Sequence, residues 1–146
     1  MYFLIALIID QIIKYIVVAS NCNISIIPNV FNLMYVRNTG GVYGIFQESN
    51  LIFTIISIIV LIVLFIYSKN ITKDNKLKQA LWQIILAGGV SNLIDRVFRG
   101  FVVDFIQMIC FGVFNIADAC IVVSAIIIIF LELKENRSGN NRKSSN

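Results

Sequence analysis

The run of residues 51–67 carries no charged side chain. A charge-free segment of this length fits the hydrocarbon core of a bilayer, and Thr54 and Ser57 within it can return their hydroxyls to the helix's own carbonyl oxygens. The whole chain has only 146 residues, yet 58% of them are hydrophobic. A soluble domain of this size has too little interior to bury so many apolar side chains. The sequence therefore predicts an integral membrane protein.

Four segments are predicted to cross the membrane as helices, at about residues 1–19, 51–67, 79–94 and 117–133. The third is short, and Lys78 is expected to extend its ammonium to the headgroups at one end. Gly88 and Gly89 in this segment should let a neighbouring helix approach closely. Residues 1–133 are thus predicted to form one membrane domain, and the polar tail of residues 134–146 is predicted to be disordered.

Two connecting segments differ from the spans in pattern. Residues 20–49 alternate like a strand around 31–36 and then become rich in turn residues, so an extramembrane β-rich element is predicted there. Gly112 and Asn115 indicate an irregular outer loop or short helix before the fourth span. The predicted fold class is a membrane all-α bundle of four transmembrane helices, with a small extracytoplasmic β-rich element and this outer loop or helix.

Basic residues predict the orientation of the chain in the membrane, because they are retained on the cytoplasmic side. The loop after the second span and the tail carry four basic residues each, and the opposite side carries three. Both termini are therefore predicted to be cytoplasmic. The residues counted are Lys69, Lys73, Lys76 and Lys78, then Lys134, Arg137, Arg142 and Lys143, against Arg37, Arg96 and Arg99.

Composition also excludes other classes of protein. The net charge of +4 comes from basic residues grouped in short polar segments, without the basic stripe and interleaved aromatics of a nucleic-acid-binding surface. The three cysteines show no CxxC spacing, and the chain has no histidine. The sequence therefore predicts no metal site, no cofactor and no nucleic-acid partner.

Asp104 and Asp118 are the candidate catalytic residues. Each lies in an apolar stretch, where a carboxylate is costly and therefore expected to be functional. Two carboxyls that face each other in a poorly solvated pocket share a proton, because the charge of one raises the pKa of the other. The ionised member can activate water while the protonated member polarises a carbonyl. Such a pair hydrolyses an amide without a serine, cysteine or metal nucleophile.

Other polar residues are predicted to support this pair. Asp10 and Lys14 are four residues apart on one helical face and are expected to form an ion pair that holds the first helix in the bundle. Asp95 and Arg96 are expected to act as an interfacial anchor or a structural ion pair. Asn92 lies one helical turn before Arg96, so both can point toward one site.

Two other classes of function remain open from the residues alone. In a small proton or cation carrier, Asp10, Lys14, Asp104 and Asp118 would form a relay spaced through the depth of the membrane. In a non-catalytic scaffold, the acids would be incidental.

Five motifs in order over positions 10–118 resemble the motif set of lipoprotein signal peptidase, also called signal peptidase II. Two departures, Gly41-Val42-Tyr43 and Ser91, are expected to affect loop flexibility or helix packing and so substrate fit. The motifs are Asp10-Gln-Ile-Ile-Lys14, Val36-Arg-Asn38-Thr-Gly40-Gly-Val-Tyr-Gly44-Ile-Phe46, Gly88-Gly-Val-Ser-Asn92-Leu-Ile-Asp95-Arg96, Gly100-Phe-Val-Val-Asp104-Phe105 and Phe114-Asn115-Ile-Ala117-Asp118.

The resemblance implies an aspartyl endopeptidase of the bacterial plasma membrane with its site at the outer face. Such an enzyme cuts diacylated prolipoproteins before the lipid-modified cysteine, contacts membrane lipid, requires no oligomer and is inhibited by cyclic peptides of the globomycin type. Asp104 and Asp118 match the catalytic pair of that family. The residues that match positions lining or supporting its site are Asn38, Gly40, Asn92, Arg96, Asn115, Asp10, Lys14 and Asp95.

Overall fold

The structure, a computed structural model, describes residues 1–40, 49–72 and 75–143, with backbone alone for residues 69–72 and 138–143. These residues form four helices and one antiparallel sheet of four strands. In chain order the elements are α1 (Tyr2–Ser20), β1 (Asn23–Ile27), β2 (Phe31–Asn38), α2 (Asn50–Thr72), α3 (Lys76–Arg99), β3 (Val102–Met108), β4 (Gly112–Phe114) and α4 (Ile116–Lys143).

Each predicted span overlaps one helix, but only three helices of the described chain have the length and apolarity to cross a membrane by composition. These are α1, α2 and α4, with mean hydropathy values of 2.0, 3.0 and 2.5 over their spanning windows. Helix α3 is also long, at 24 residues, but its mean hydropathy is lowered by polar side chains that are buried against its neighbours. No residue in the apolar segment of α2 is buried inside the protein, so the side chains of this helix are largely exposed on the outer surface.

Helix α4 is longer than predicted and continues to Lys143. The prediction of a disordered tail is therefore wrong for residues 134–143. The Lys78 ammonium, which was predicted to extend toward the headgroups, is buried between two exposed glutamates and donates to Glu132 Oε1 at 2.7 Å and to Glu135 Oε2 at 2.6 Å. These ion pairs connect the start of α3 to the polar C-terminal part of α4. The sequence pattern does not indicate this contact, because the paired residues are more than 50 positions apart.

The sheet joins two hairpins that are far apart in sequence. Strands β1 and β2 confirm the predicted β-rich element, and β2 then pairs with β3, placing Val36 opposite Asp104. Strands β3 and β4 replace the predicted outer loop or helix. A short apolar run such as residues 102–106 has no periodicity that separates strand from helix, so the pairing with β2 decides its conformation. Asp104 consequently lies on a strand that is paired with β2.

The glycine pair in α3 confirms the predicted close helix approach and serves two neighbours. A Cβ atom at Gly88 would lie 2.9 Å from the carbonyl oxygen of Ala117 in α4, and one at Gly89 would lie 2.8 Å from Cδ2 of Leu61 in α2. Because backbone approaches backbone at Gly88, the start of α4 is fixed against the middle of α3.

A buried ion cluster holds α1 to the rest of the protein. The predicted pair is confirmed, with Lys14 Nζ 2.8 Å from Asp10 Oδ2, and the same ammonium lies 2.9 Å from Asp95 Oδ2 in α3. All three side chains are at most 2% exposed. Asp10 Oδ1 also accepts from the backbone N–H of Ala117 in α4, and Asp95 Oδ2 accepts from that of Val103 in β3. One cluster therefore connects three helices and the sheet.

We predict that Lys14→Met lowers the free energy of unfolding by about 3–5 kcal/mol, because Asp10 and Asp95 would stay buried without their shared cation. Thermal unfolding in detergent measures the loss. Adding Asp10→Asn and Asp95→Asn to Lys14→Met should restore part of the stability, since the cluster is then neutral. If the triple variant is less stable than Lys14→Met alone, charge imbalance is not the cause.

We predict that Gly88→Ala lowers stability by about 1–3 kcal/mol, because its new Cβ meets a backbone oxygen that cannot move aside. Gly89→Ala is the matched control, since its new Cβ meets only the flexible end of Leu61. Thermal unfolding of both variants in one detergent should rank Gly88→Ala as the less stable. The opposite ranking would contradict the proposed backbone contact.

Candidate active site

Asp104 is held by an amide from the neighbouring strand. Asn38, the last residue of β2, donates from Nδ2 to Asp104 Oδ2 at 2.7 Å. The backbone N–H of Gly40 donates to Asn38 Oδ1 at 3.0 Å. This local bond fixes which end of the Asn38 amide points at the carboxyl. The predicted residues Asn38 and Gly40 thus act together on Asp104, and residues 41–48 lie outside the described part of the chain.

Asp118 belongs to the N-terminal cap of α4. The backbone N–H of Asp118 donates to Asn115 Oδ1 at 3.0 Å, and the backbone N–H of Asn115 donates to Asp118 Oδ2 at 3.2 Å. This reciprocal pair is a capping box in which asparagine and aspartate satisfy otherwise unpaired donors of the first turn. A carboxylate at this position is also favoured by the positive end of the helix dipole.

Asn115 and Asn92 connect the two carboxyls. Asn115 Nδ2 donates to Asp104 Oδ1 at 2.8 Å and to Asn92 Oδ1 at 3.0 Å. Asn92 Nδ2 in turn donates to Asp118 Oδ1 at 2.8 Å. Asn92 Oδ1 also accepts from Lys14 Nζ at 2.8 Å, which ties this ring of side chains to the buried ion cluster. The structure therefore brings the two predicted acids to one polar centre.

Burial changes the acidity of Asp104. Its side chain is 2% exposed, and loss of solvation raises its pKa from the ordinary value of 3.8 to about 6. The hydrogen bond from Asn38 opposes this rise, and the negative charge of Asp118 adds to it. The carboxyl can consequently hold or release a proton close to neutral pH.

Arg96 is a second cation near the two acids, besides Lys14. Its half-buried guanidinium stacks 5.9 Å from the ring centre of Phe53 and lies within electrostatic range of Asp118 and Asp104. The sequence predicts an interfacial anchor or a structural ion pair at Asp95 and Arg96, and the structure gives Asp95 ion pairs with other residues. Asp95 is fully buried and pairs with Lys14, and its other oxygen lies 3.3 Å from Arg99 Nε. One helical turn places Arg99 on the Asp95 face of α3, while Arg96 points elsewhere.

Two polar residues of the site were not predicted. Ser91 Oγ donates to Asp10 Oδ2 at 2.6 Å, and Gln11 Nε2 donates to Ser91 Oγ at 2.8 Å and Asp95 Oδ1 at 3.2 Å. Ser91, expected from the sequence to affect helix packing, also supplies a hydrogen bond within the buried cluster. Its position immediately before Asn92 was the available signal. The helical positions of Gln11 and Ser91 did not indicate a contact across 80 residues.

All ten predicted site residues therefore lie in one hydrogen-bonded and electrostatic network, which joins α1, α3, α4, β3 and the end of β2. Across residues 1–40, 49–72 and 75–143, no group of three or more His, Cys, Asp or Glu side chains is arranged to hold a metal ion. The arrangement provides two coupled carboxyls, amide donors that orient them and a neighbouring guanidinium. These groups are sufficient for acid–base chemistry on a carbonyl.

Comparison with known proteins gives a family for this site. Residues 2–134 match the family described as signal peptidase (SPase) II. The chain is 42% identical over 127 residues to the lipoprotein signal peptidase of Caldanaerobacter subterraneus subsp. tengcongensis, covering 84% of this chain and 87% of the relative. It is 37% identical over 141 residues to the lipoprotein signal peptidase of Fusobacterium nucleatum subsp. nucleatum, covering 92% and 86%.

A solved structure shares the fold. It is a bacterial membrane enzyme whose structure was determined by the in meso method at 2.3 Å resolution, and it superposes with a TM-score of 0.79 at 34% identity. The match covers 92% of this chain and 87% of that one. The family match over residues 2–134 includes every residue of the polar centre. This chain therefore belongs to the signal peptidase II family and is a multi-pass membrane protease.

Proposed function

We propose that this protein is an aspartyl endopeptidase that removes the signal peptide from prolipoproteins, cutting before the diacylglyceryl-modified cysteine, with Asp104 and Asp118 as the catalytic pair. The membership of the chain in the signal peptidase II family supports removal of signal peptides from prolipoproteins. One observation carries the catalytic assignment: Asn115 binds both carboxyls, through its side-chain amide and its backbone N–H.

The two carboxyls take different roles in the proposed mechanism. Asp118, in the first turn of α4, is the ionised member and removes a proton from water as its oxygen attacks the scissile carbonyl carbon. Asp104, which is buried on β3, is assigned the shared proton in this mechanism and donates it to the carbonyl oxygen. When the C–N bond breaks, Asp118 delivers its proton to the leaving nitrogen and Asp104 recovers its own from the hydroxyl. Both residues return to their starting states.

The surrounding amides and cation position this chemistry. Asn38 and Asn115 hold the Asp104 carboxyl, and Asn92 holds that of Asp118. The Arg96 guanidinium balances negative charge that develops on the substrate oxygen. The glycine-rich segment that follows Asn38 is also proposed to act as a flap over the site. Beyond Gly40 it lies outside the described residues, and the flap remains a proposal.

The membrane arrangement is proposed from charge and length. Helix α3 has 24 residues, enough to serve as a fourth span, and its buried polar side chains would be shielded by the other three. The basic residues near the span ends favour cytoplasmic termini and an outer site in a bacterial plasma membrane. Prolipoprotein, membrane lipid and a cyclic peptide inhibitor of the globomycin type are the proposed ligands. One chain supplies every residue of the network, so no oligomer is required.

The carrier alternative lacks support from the comparisons, which match peptidases. Its residues are also poorly arranged for a relay through the membrane. Asp104 and Asp118 both bind Asn115, and Lys14 is already saturated by Asp10, Asp95 and the Asn92 amide oxygen. A relay would need these groups to be separated and free to exchange protons.

We predict that Asp104→Asn and Asp118→Asn each lower kcat for a diacylated prolipoprotein by at least about 10²-fold, because each removes one partner of the acid–base pair. Cleavage in detergent, followed by the mobility of the product, measures turnover. Glu132→Gln is the control, since this acid binds Lys78 away from the proposed site. Full turnover by either Asp→Asn variant would exclude the pair as the catalytic groups, and absence of turnover in the wild type as well would favour the scaffold interpretation.

We predict that kcat/KM falls as the pH rises through about 6, where Asp104 loses its proton. The hydrogen bond from Asn38 lowers this pKa, so Asn38→Ala should raise it and move the fall in kcat/KM to higher pH. Initial rates from pH 4 to 9 test both statements. Serine at position 38 is the milder substitution and should shift the midpoint less. An unchanged midpoint in Asn38→Ala would mean that another group controls the profile.

A further inference from the structure

The two hairpin turns of the sheet bring exposed apolar side chains together at the end that is distant from Asp104. Ile27 and Val30 flank the first turn and are 51% and 45% exposed, while Ile109 and Phe111 in the second turn are 70% and 64% exposed. The backbone N–H of Ile109 donates to the carbonyl oxygen of Val30 at 3.2 Å, which joins the two turns. These four residues are called the sheet tip.

Both turns present these side chains on a fixed backbone. The N–H of Val30 donates to Ile27 O at 3.0 Å, and the N–H of Phe111 donates to Met108 O at 3.1 Å. Asn29 and Gly112 take the positive φ angles, of 61° and 74°, that close the turns. The sheet tip is therefore built as a set of tight turns with apolar corners.

The chain around the sheet tip lacks the charges that a water-exposed turn usually carries. No Asp, Glu, Lys or Arg occurs in residues 15–36 or in residues 105–117. By contrast, the next row of paired residues across the sheet is polar: Ser25 Oγ donates to Asn32 Oδ1 at 2.8 Å, and Asn32 Nδ2 donates to Gln107 Oε1 at 2.9 Å. The sheet thus has an apolar end and a polar row beside it.

The first helix fixes the level of the sheet relative to the bilayer. Helix α1 ends at Ser20 and β1 begins at Asn23, so the sheet starts at the end of a span with almost no linker. The exposed surface of α1 at Tyr15 and Ile16 leads toward it. If the sheet stood upright in water, its four tip side chains would be solvated at an unfavourable free energy. If the sheet lies along the bilayer, they enter hydrocarbon.

We propose that the sheet tip inserts into the outer leaflet of the membrane and thereby fixes the height of Asp104 at the lipid surface. The partner is the acyl region of phospholipid, because the tip is apolar and uncharged and continues the lipid-facing surface of α1. Asp104 is four residues from Met108 along β3, about 13 Å at the rise of a strand. A sheet anchored at both ends holds its carboxyl at a constant depth.

Insertion of the sheet tip goes beyond the proposed function, and it would explain why the active site lies at the same depth in the membrane as its substrate bond. A bond next to a lipid-modified cysteine lies at the surface of the bilayer, since the lipid chains of the substrate hold it there. A strand that is anchored in the same leaflet holds Asp104 at the depth of that bond, so the substrate does not have to move along the membrane normal to reach the active site. The sheet tip would act as a positioning element, without contact with the reacting atoms.

The first experiment measures depth and is independent of catalysis. Phe111→Trp is made in a Trp82→Phe background and reconstituted in phosphatidylcholine–phosphatidylglycerol vesicles with bromine atoms at defined acyl carbons. We expect about twofold or greater quenching of the tryptophan at 111. Ser25→Trp in the same background is the control on the polar row and should be quenched much less.

Equal and weak quenching of both probes, with emission typical of water, would overturn the insertion. The insertion would also be overturned if quenching of the tryptophan at 111 rose with the protein-to-lipid ratio and did not depend on brominated lipid. The tip would then contact a second copy of the chain.

The second experiment measures the consequence for the substrate and rests on the proposed function. The double variant Ile109→Ser and Phe111→Ser should raise KM for a diacylated prolipoprotein in vesicles by about tenfold and leave kcat within about twofold of wild type. In detergent micelles, which have no leaflet of fixed depth, KM should be unchanged. Val113→Ser, on the same hairpin but away from the tip, is the matched control.

The two experiments separate the possible failures. Strong quenching at position 111 with no cleavage by wild type would contradict the peptidase function and support the insertion. An equal loss of kcat by the double variant in vesicles and in micelles would contradict the positioning role. The substitutions would then act by disturbing the fold of the active site.

Discussion

The buried ammonium of Lys14 is the interaction on which the rest of the structure depends. It is fully inaccessible to solvent and donates to Asp10, Asp95 and Asn92, so its three hydrogens are all used. Each acceptor is also bound elsewhere: Asp10 by the start of α4, Asp95 by β3, and Asn92 by Asn115. In a medium of low polarity, such a cluster tolerates little rearrangement, because any separated charge would lack solvation.

Asn115 shows how stability and chemistry use the same residue. Its side-chain oxygen caps α4 and its side-chain nitrogen binds Asp104, while its backbone N–H binds Asp118. The capping geometry that starts the helix therefore also sets the relative position of the two carboxyls. The ion cluster and the close approach at Gly88 already fix the first turn of α4 and strand β3, so the proposed active site needs no further supporting element.

The distribution of polarity is the inverse of that in a soluble protein. Apolar side chains cover the outer surfaces of α1, α2 and α4, and the inaccessible residues include Asp10, Lys14, Asp95 and Asp104. The hydrophobic effect acts between the protein and its lipid surroundings, and polar contacts hold the helices to one another. This explains why α3, which carries the most buried polar side chains, has the central position and packs against all three other helices.

The sequence by itself determined the membrane class, the four helices, the presence of a β-rich element after the first helix and the identity of the polar residues. These depend on local composition: a charge-free run, a glycine pair, or Asp10 and Lys14 one helical turn apart. The resemblance of the five ordered motifs to those of signal peptidase II added the expected activity and the expected roles of the site residues.

Tertiary structure decided what depends on partners distant in sequence. Residues 102–108 form a strand because they pair with β2. Lys78 pairs with Glu132 and Glu135, and Asp95 pairs with Lys14 and Arg99 and not with its sequence neighbour Arg96. The fold also brought Ser91 and Gln11 into the cluster. A buried charge takes whichever counter-charge the fold brings near, and that choice cannot be read from spacing along the chain.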